Sequence, residues 1–248
     1  GSRCREKRME RELSYDLHIH SCLSPCGDDD MTPGNIVGMA AIKGLDVIAV
    51  TDHNSCRNCP AVLKLAEQYG VLAIPGMELT TAEEVHAVCL FSELSAAMEF
   101  DRFVYEKLMK FPNREEIFGK QQIMNEEDIC IATEPNLLIN STELSFDELW
   151  DIVAGQYGGV MIPAHIDKNA NSLISNLGFV PPESQFRTAE LHDMAALEEL
   201  KKSNPYLGQC RIICDSDAHY LEHIHEPEWK MKVREKSAAA VIAYLRGE

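Results

Sequence analysis

No run of about 18 apolar residues occurs in this 248-residue chain, which rules out a membrane-spanning helix. The N-terminus also lacks the apolar core of a secretion signal, since residues 1–11 are polar and basic. Residues 1–12 read as a disordered leader or a cloning remnant, with a natural start at Met9. The rest, 13–248, reads as one cytoplasmic domain without a membrane partner, a length that one α/β barrel accommodates. Positive charge is scarce: 23 Lys and Arg stand against 40 Asp and Glu, giving a formal charge of −17. Such a surface repels phosphate backbones and argues against non-specific duplex binding. It leaves room for a phosphorylated substrate, because bound cations reverse the field inside one pocket. A disulfide framework is missing too. The nine cysteines are an odd number in a chain without a secretion signal, so free thiols or metal ligands are expected. There are no internal repeats and no low-complexity tracts.

What is present is an alternation of strands and helices. Apolar segments predict strands at Ser14–His20, Asp46–Thr51, Val71–Leu79, Val85–Phe91, Gly159–His165, Phe186–Leu191 and Gln209–Cys214. Helical patterns lie at Pro33–Lys43, Ala61–Tyr69, Phe146–Gln156, Met194–Lys202 and Lys236–Arg246. Thr32 before Pro33, and Ser145 three residues before Glu148, are helix-start signals. Alternation of this kind predicts an α/β fold of parallel βα units, wrapped into a closed or distorted barrel. Residues 92–142 break the rhythm: helical at first, then polar. They are too long for a simple connection and read as an insertion or elaborated crossover that could cap a site.

Histidine placement is the strongest signal. Asp16-Leu17-His18-Ile19-His20 ends the first strand, and alternation puts Asp16, His18 and His20 on one face. Two imidazoles so placed can grip a cation, with Asp16 supporting them from behind. Alone, the pair could equally be two half-exposed histidines. The same placement recurs in Thr51-Asp52-His53-Asn54, at His86, in Pro163-Ala164-His165 and in Asp215-Ser216-Asp217-Ala218-His219, with Glu78 in Gly76-Met77-Glu78. Residues at strand ends of a barrel converge on one mouth, and packing does not explain six histidines there.

The set DLHIH, TDHN, GME with a downstream His, PAHI and SDAH closely resembles the signature motifs of the PHP (polymerase and histidinol phosphatase) family, in order, from about Tyr15 to about Tyr220. The resemblance implies a distorted (β/α)7 barrel with a metal site at the C-terminal mouth. It implies phosphoester hydrolysis assisted by two or three divalent cations, manganese, zinc or iron. By position, His18, His20, Glu78 and Asp217 would hold the first cation, and Glu78, His86 and His165 the second. A third would use His53, His219 and a ligand from the loop after His20. Asp217 or His219 could hold the attacking water or protonate the leaving group.

One departure matters. Many family members carry Asp or His five or six residues after this first motif, where this chain has Pro25 and Cys26. Cys26 as a thiolate ligand, Asp28 from a shifted loop, and a site of only two cations are the three readings. Cys22, Cys26, Cys56 and Cys59 could instead build a separate metal site, although scattered thiols are the simpler expectation. Cys89, Cys130, Cys210 and Cys214 read as core or near-core residues. Arg57 and Lys168 follow metal motifs closely and could bind substrate phosphate. His192 reads as structural or at a rim, and His223 and His225 as part of a solvated loop from which one could reach the mouth. The expected reaction is hydrolysis of a small phosphomonoester such as a nucleotide or sugar phosphate. The alternatives are an exonuclease on single-stranded or short oligonucleotides and a non-catalytic metal-binding domain.

Overall fold

The computed structural model describes residues 9–248. Most of the expected leader, residues 1–8, lies outside them. Arg11 and Glu12 do not belong to a leader, because they pair with Val233 and Lys232. The strands are β1 Arg11–Ile19, β2 Val47–Val50, β3 Leu72–Ala73, β4 Gly76–Thr80, β5 His86–Leu90, β6 Gln122–Met124, β7 Cys130–Thr133, β8 Val160–Pro163, β9 Thr188–Leu191, β10 Arg211–Cys214 and β11 Lys230–Val233. No helix among the described residues is long and apolar enough to cross a membrane.

The helix starts read from sequence are present. Thr32 caps Pro33–Lys43 by accepting from the Asn35 amide, and Gly44 ends that helix in the left-handed conformation at φ 80°. Ser145 and Glu148 form a capping box, and the helix Phe146–Trp150 then widens into a π-helical turn, Asp151–Gln156. The segment expected as one strand, Val71–Leu79, is two. Proline at 75 has no N–H to donate and separates β3, parallel to β2, from β4, antiparallel to β5.

Not every strand pair is parallel, contrary to expectation. β1 and β2 are parallel, as are β9 and β10, but β4, β5 and β8 form an antiparallel sheet and β11 is antiparallel to β1. The reason for β4 and β5 is loop length. Five residues, 81–85, allow a hairpin, whereas a parallel crossover needs a dozen or more. This reversal places His86, at the start of β5, opposite Thr80 at the end of β4.

Further hydrogen bonds join the sheets at one rim. The Glu78 amide donates to the Asp52 carbonyl at 2.9 Å, the Ile166 amide to the Glu190 carbonyl at 2.9 Å, and the His20 amide to the Ala218 carbonyl at 2.9 Å. Below that rim, Leu13, Tyr15, Leu17, Val47, Ala49, Val88, Val160, Ile162 and Ile213 pack into one apolar cluster drawn from five strands. Removing a side chain such as Leu17 from that cluster costs about 2–5 kcal/mol. A second layer, including Ile19, Ile48 and Val50, packs against the helices Pro33–Lys43 and Cys59–Tyr69.

Residues 92–142 hold the helix Leu94–Lys107 and the hairpin β6–β7. They buttress the rim loops rather than line the cavities described below. Asn54 Nδ2 donates to the carbonyls of Leu138 and Asn140, the Gln122 amide donates to the Cys22 carbonyl, and the Met124 amide donates to Asn58.

Candidate metal centre

β1 delivers the first two histidines through an irregularity. Its pairing with β2 shifts between Asp16 and Ile19, so simple alternation fails. Leu17 faces the inner apolar cluster, Ile19 the helix layer, and His18 and His20 are fully buried at the site. The expectation that Asp16 supports the histidines is therefore wrong. Its two oxygens accept from the amides of Ser216 and His225, each at 3.1 Å.

Other groups hold the rings. His18 Nδ1 donates to the buried Glu190 carboxylate at 2.9 Å, which leaves Nε2 pointing at the site. His20 Nδ1 donates to Ser24 Oγ at 2.8 Å, and Ser24 donates in turn to Asp52 at 2.8 Å. Asp52 also accepts from the amide and hydroxyl of Ser21, at 2.7 and 2.6 Å. Glu190, Ser24 and Asp52 were not assigned from sequence. The signal for Glu190 was a lone carboxylate between Ala189 and Leu191, whose side chains both lie in the core.

Glu78 is the centre of the arrangement. It lies 3.1 Å from His18 Nε2, 3.2 Å from His20 Nε2, 3.4 Å from His53 Nδ1, 3.2 Å from His86 Nδ1 and 3.1 Å from His165 Nε2. Asp217 Oδ1 lies 3.2 Å from His18 Nε2 and 2.9 Å from His20 Nε2. The backbone is strained here. His165 and Asp217, at the ends of β8 and β10, adopt φ of 30° and 53°, and Asn54 adopts 49°. Left-handed backbone at non-glycine residues costs roughly 1 kcal/mol or more each and concentrates at functional sites.

The electrostatics follow from burial against charge. Burial opposes ionisation of Glu78, but His18, His86 and His165 hold it well below the usual carboxylate range. Burial likewise opposes a charge on His20, yet Asp217 and Glu78 push it up to about 9. His18 is raised well above 6.5 against burial, by Glu190, Glu78 and Asp217. Asp217 is held far below the usual range by His18 and His20, in spite of burial. His219 moves the other way, down to about 4, through burial and the charge on His20.

These residues fit divalent cations. Two donors about 2.1 Å from one ion sit roughly 3.0–3.4 Å apart, close to the spacings found here. The His18 and His20 Nε2 atoms are 3.2 Å apart with both Nδ1 protons already committed, a contact that a cation between the two lone pairs would resolve. The Nδ1 atoms of His53 and His86, which face Glu78, are buried without a hydrogen-bond partner. Three donor groups come within ligating distance of one another: His18, His20, Glu78 and Asp217; Glu78, His86 and His165; and His20, Cys26, His53 and His219.

All eight expected metal ligands are thus brought together, and Lys168 joins them, with Nζ 2.8 Å from Asp217 Oδ2. Arg57 does not. Its guanidinium is taken up by Glu134 and packs over Tyr105. The four cysteines form no site of their own. Cys56 and Cys59 lie in the hydrophobic core, Cys22 is buried, and only Cys26 reaches the histidines. Cys130 is exposed rather than near the core. Two adjoining cavities open on the centre. An inner one of about 260 Å³ is lined by His53, Glu78, His86 and His165, and an outer one of about 660 Å³ by Cys26, His192 and Tyr220. Lys168, Asp217 and His219 line both. His223 and His225, expected in a solvated loop, also line the outer cavity; His223 is exposed, and the His225 amide donates to Asp16.

The sequence matches the family model of the PHP domain over residues 16–171. An uncharacterized protein of Methanocaldococcus jannaschii is 38% identical over 79 residues, covering 29% of this chain and 46% of that protein. A 5′-3′ exoribonuclease of Haemophilus influenzae is 33% identical over 79 residues, 31% of this chain and 28% of the enzyme. These matches span less than half of each curated relative. Among solved structures, the lesion-specific endonuclease Q of Pyrococcus furiosus has a TM-score of 0.65 at 19% identity, covering 96% of this chain and 56% of that one. A candidate metal-dependent phosphoesterase of Bifidobacterium adolescentis has a TM-score of 0.57 at 15% identity, covering 95% and 97%. At such identities the likeness is one of fold.

Proposed function

This chain belongs to the PHP domain family, and on that premise we propose that it hydrolyses small phosphoesters with two cations at this centre. One would be held by His18, His20, Glu78 and Asp217, the other by Glu78, His86 and His165. The observation that carries the reading is Glu78, whose two oxygens face five histidines from β1, β2, β5 and β8 or their ends. A carboxylate so placed is a bridge between two sites. Manganese, zinc or iron bound there would acidify a water and offset charge on phosphoryl oxygens during in-line displacement.

The chain's own groups divide the remaining work. Asp217 stays ionised, so it accepts hydrogen bonds and is unsuited to donating a proton. Lys168, raised above its usual range by Asp217 against the effect of burial, carries a permanent charge at the junction of the two cavities. It is the group placed to grip a phosphoryl oxygen. His219 Nδ1 donates to the Asp217 carbonyl at 2.7 Å, so its neutral Nε2 offers a lone pair to the site.

The cavities support a small substrate. The inner one suits a phosphoryl group, and the outer one has room for a leaving group of nucleoside or sugar size. The charge of −17 disfavours a duplex. We further read the strand pairings as a distorted barrel of seven strands, β1, β2, β4, β5, β8, β9 and β10. Its support is the rim bonds from Glu78 to Asp52, Ile166 to Glu190 and His20 to Ala218.

A phosphatase screen with manganese or zinc added tests the function. Turnover of a nucleotide or sugar phosphate is expected, and failure on every phosphoester by protein shown to hold metal would refute it. The resemblance to an exoribonuclease favours a second reading, trimming of short single strands. Stepwise products from end-labelled oligonucleotides would establish that reading instead.

A further inference from the structure

We infer that Cys26 is a cation ligand, completing a third site with His53 and His219 that prefers thiophilic metals. The inference rests on the cation-cluster reading of this centre, not on the reaction proposed for it. The donor atoms of His20, Cys26, His53 and His219 come within 4.8 Å of one another. His20 Nε2 is already committed toward Glu78 and Asp217, which leaves Cys26, His53 and His219 as three donors. Three protein ligands and one open position form the usual arrangement of a reactive zinc site.

The loop holds the thiol in place. The Gly27 amide donates to the Ser24 carbonyl at 2.9 Å, and the Asp28 amide to the His219 carbonyl at 2.9 Å, so Cys26 is pinned beside His219. A Cβ at residue 27 would collide with the Ser21 carbonyl oxygen, so the tight turn requires glycine. The sulfurs of Cys22, Cys59, Cys89 and Cys214 face backbone carbonyls, whereas that of Cys26 faces imidazoles. His53 is over nine-tenths buried, and its Nδ1 is without a hydrogen-bond partner. The competing reading, Asp28, has no such support: its Oδ1 accepts from the Asp30 amide at 2.9 Å, and it belongs to none of the donor groups.

On binding, the S–H bond breaks, the proton passes to buffer, and a sulfur–metal bond forms. A soft thiolate favours zinc, cobalt or ferrous iron over magnesium and manganese.

Cobalt titration of the whole chain, stripped beforehand with a chelator, tests this without turnover. A near-ultraviolet sulfur-to-cobalt charge-transfer band is expected to grow with one equivalent of metal. Cys26→Ser should abolish the band and weaken that equivalent by at least roughly tenfold. Cys26→Asp should keep the equivalent without the band and lose the preference for zinc over manganese. Cys130→Ser, at the other exposed cysteine among the described residues, should change neither. Cobalt binding at full stoichiometry without a band, or a band that survives Cys26→Ser, would overturn the inference while leaving the two-cation reading intact. Failure to bind any cobalt would sink both.

Discussion

The ammonium of Lys168 lies 2.8 Å from Oδ2 of Asp217, while the other oxygen of that carboxylate lies 2.9 Å from His20 Nε2. One side chain thereby joins the ammonium proposed to grip substrate to the donors that would hold a metal. Lys168 comes from the turn after β8 and Asp217 from the turn after β10, so only a shared rim brings them into contact.

Lys168→Met is expected to raise KM and lower kcat/KM by roughly 10–100-fold, the scale of losing one charge-assisted contact. Lys168→Arg should recover part of the loss. Steady-state kinetics on whichever phosphoester proves to be a substrate would measure it. An unchanged KM in the methionine variant would remove Lys168 from substrate binding.

Glu78→Gln keeps the shape of the side chain and removes its charge. Because Glu78 serves both proposed sites, the variant should lose most bound metal and more than about 100-fold of activity. Elemental analysis after dialysis reads the metal content directly. Retention of two equivalents would contradict the bridging role.

Glu190→Gln acts one step further out. It weakens the grip on His18 Nδ1 without removing a ligand, and a 10–100-fold lower metal affinity is the expected size. Competition with a fluorescent chelator measures this, and an unaltered affinity would mean that the His18 ring is held by other contacts.

Proton release provides a pH test. His20 in the folded protein is held up to about 9, above its ordinary 6.5, after burial is outweighed by Asp217 and Glu78. A raised folded pKa stabilises fully below 6.5, and that contribution is lost as pH rises through about 9. Chelator-treated protein should therefore melt at falling temperatures across that window. His219, lowered to about 4, does not oppose the trend, because it is neutral in both states above its ordinary value. Metal uptake near neutral pH should also release protons, seen as a buffer-dependent binding enthalpy. A flat melting profile from pH 6.5 to 9 would count against a protonated His20.

Arg57→Ala distinguishes a structural role from a substrate one. Its loss leaves the buried Glu134 carboxylate without its guanidinium, and a cost of roughly 3 kcal/mol is typical of breaking such a pair. Chemical denaturation should show the loss, with KM nearly unchanged. A large rise in KM at full stability would reinstate Arg57 as a phosphate contact.

Much of the site was legible in the sequence because its residues lie at strand ends in short motifs. His18, His20, His53, Glu78, His165, Asp217 and His219 follow or close apolar runs, and such ends meet on one rim when strands associate side by side. The helix beginning at Pro33 was legible because Thr32 and Gly44 cap its ends locally, and the distant Asp128 then adds bonds from the Thr32 hydroxyl and the Gly34 amide.

What the tertiary structure decided is whatever depends on partners distant in sequence. His86 reaches the rim because β5 runs against β4, a consequence of the short loop between them. Asp16 leaves the histidines because an irregular pairing with β2 breaks the alternation of β1. Glu190 supports His18 across 172 residues of chain, and Arg57 is claimed by Glu134, 77 residues away. No local pattern encodes those pairings. Spacing in sequence reports which face a side chain takes on its own element, whereas the partner on that face is chosen by how the elements pack.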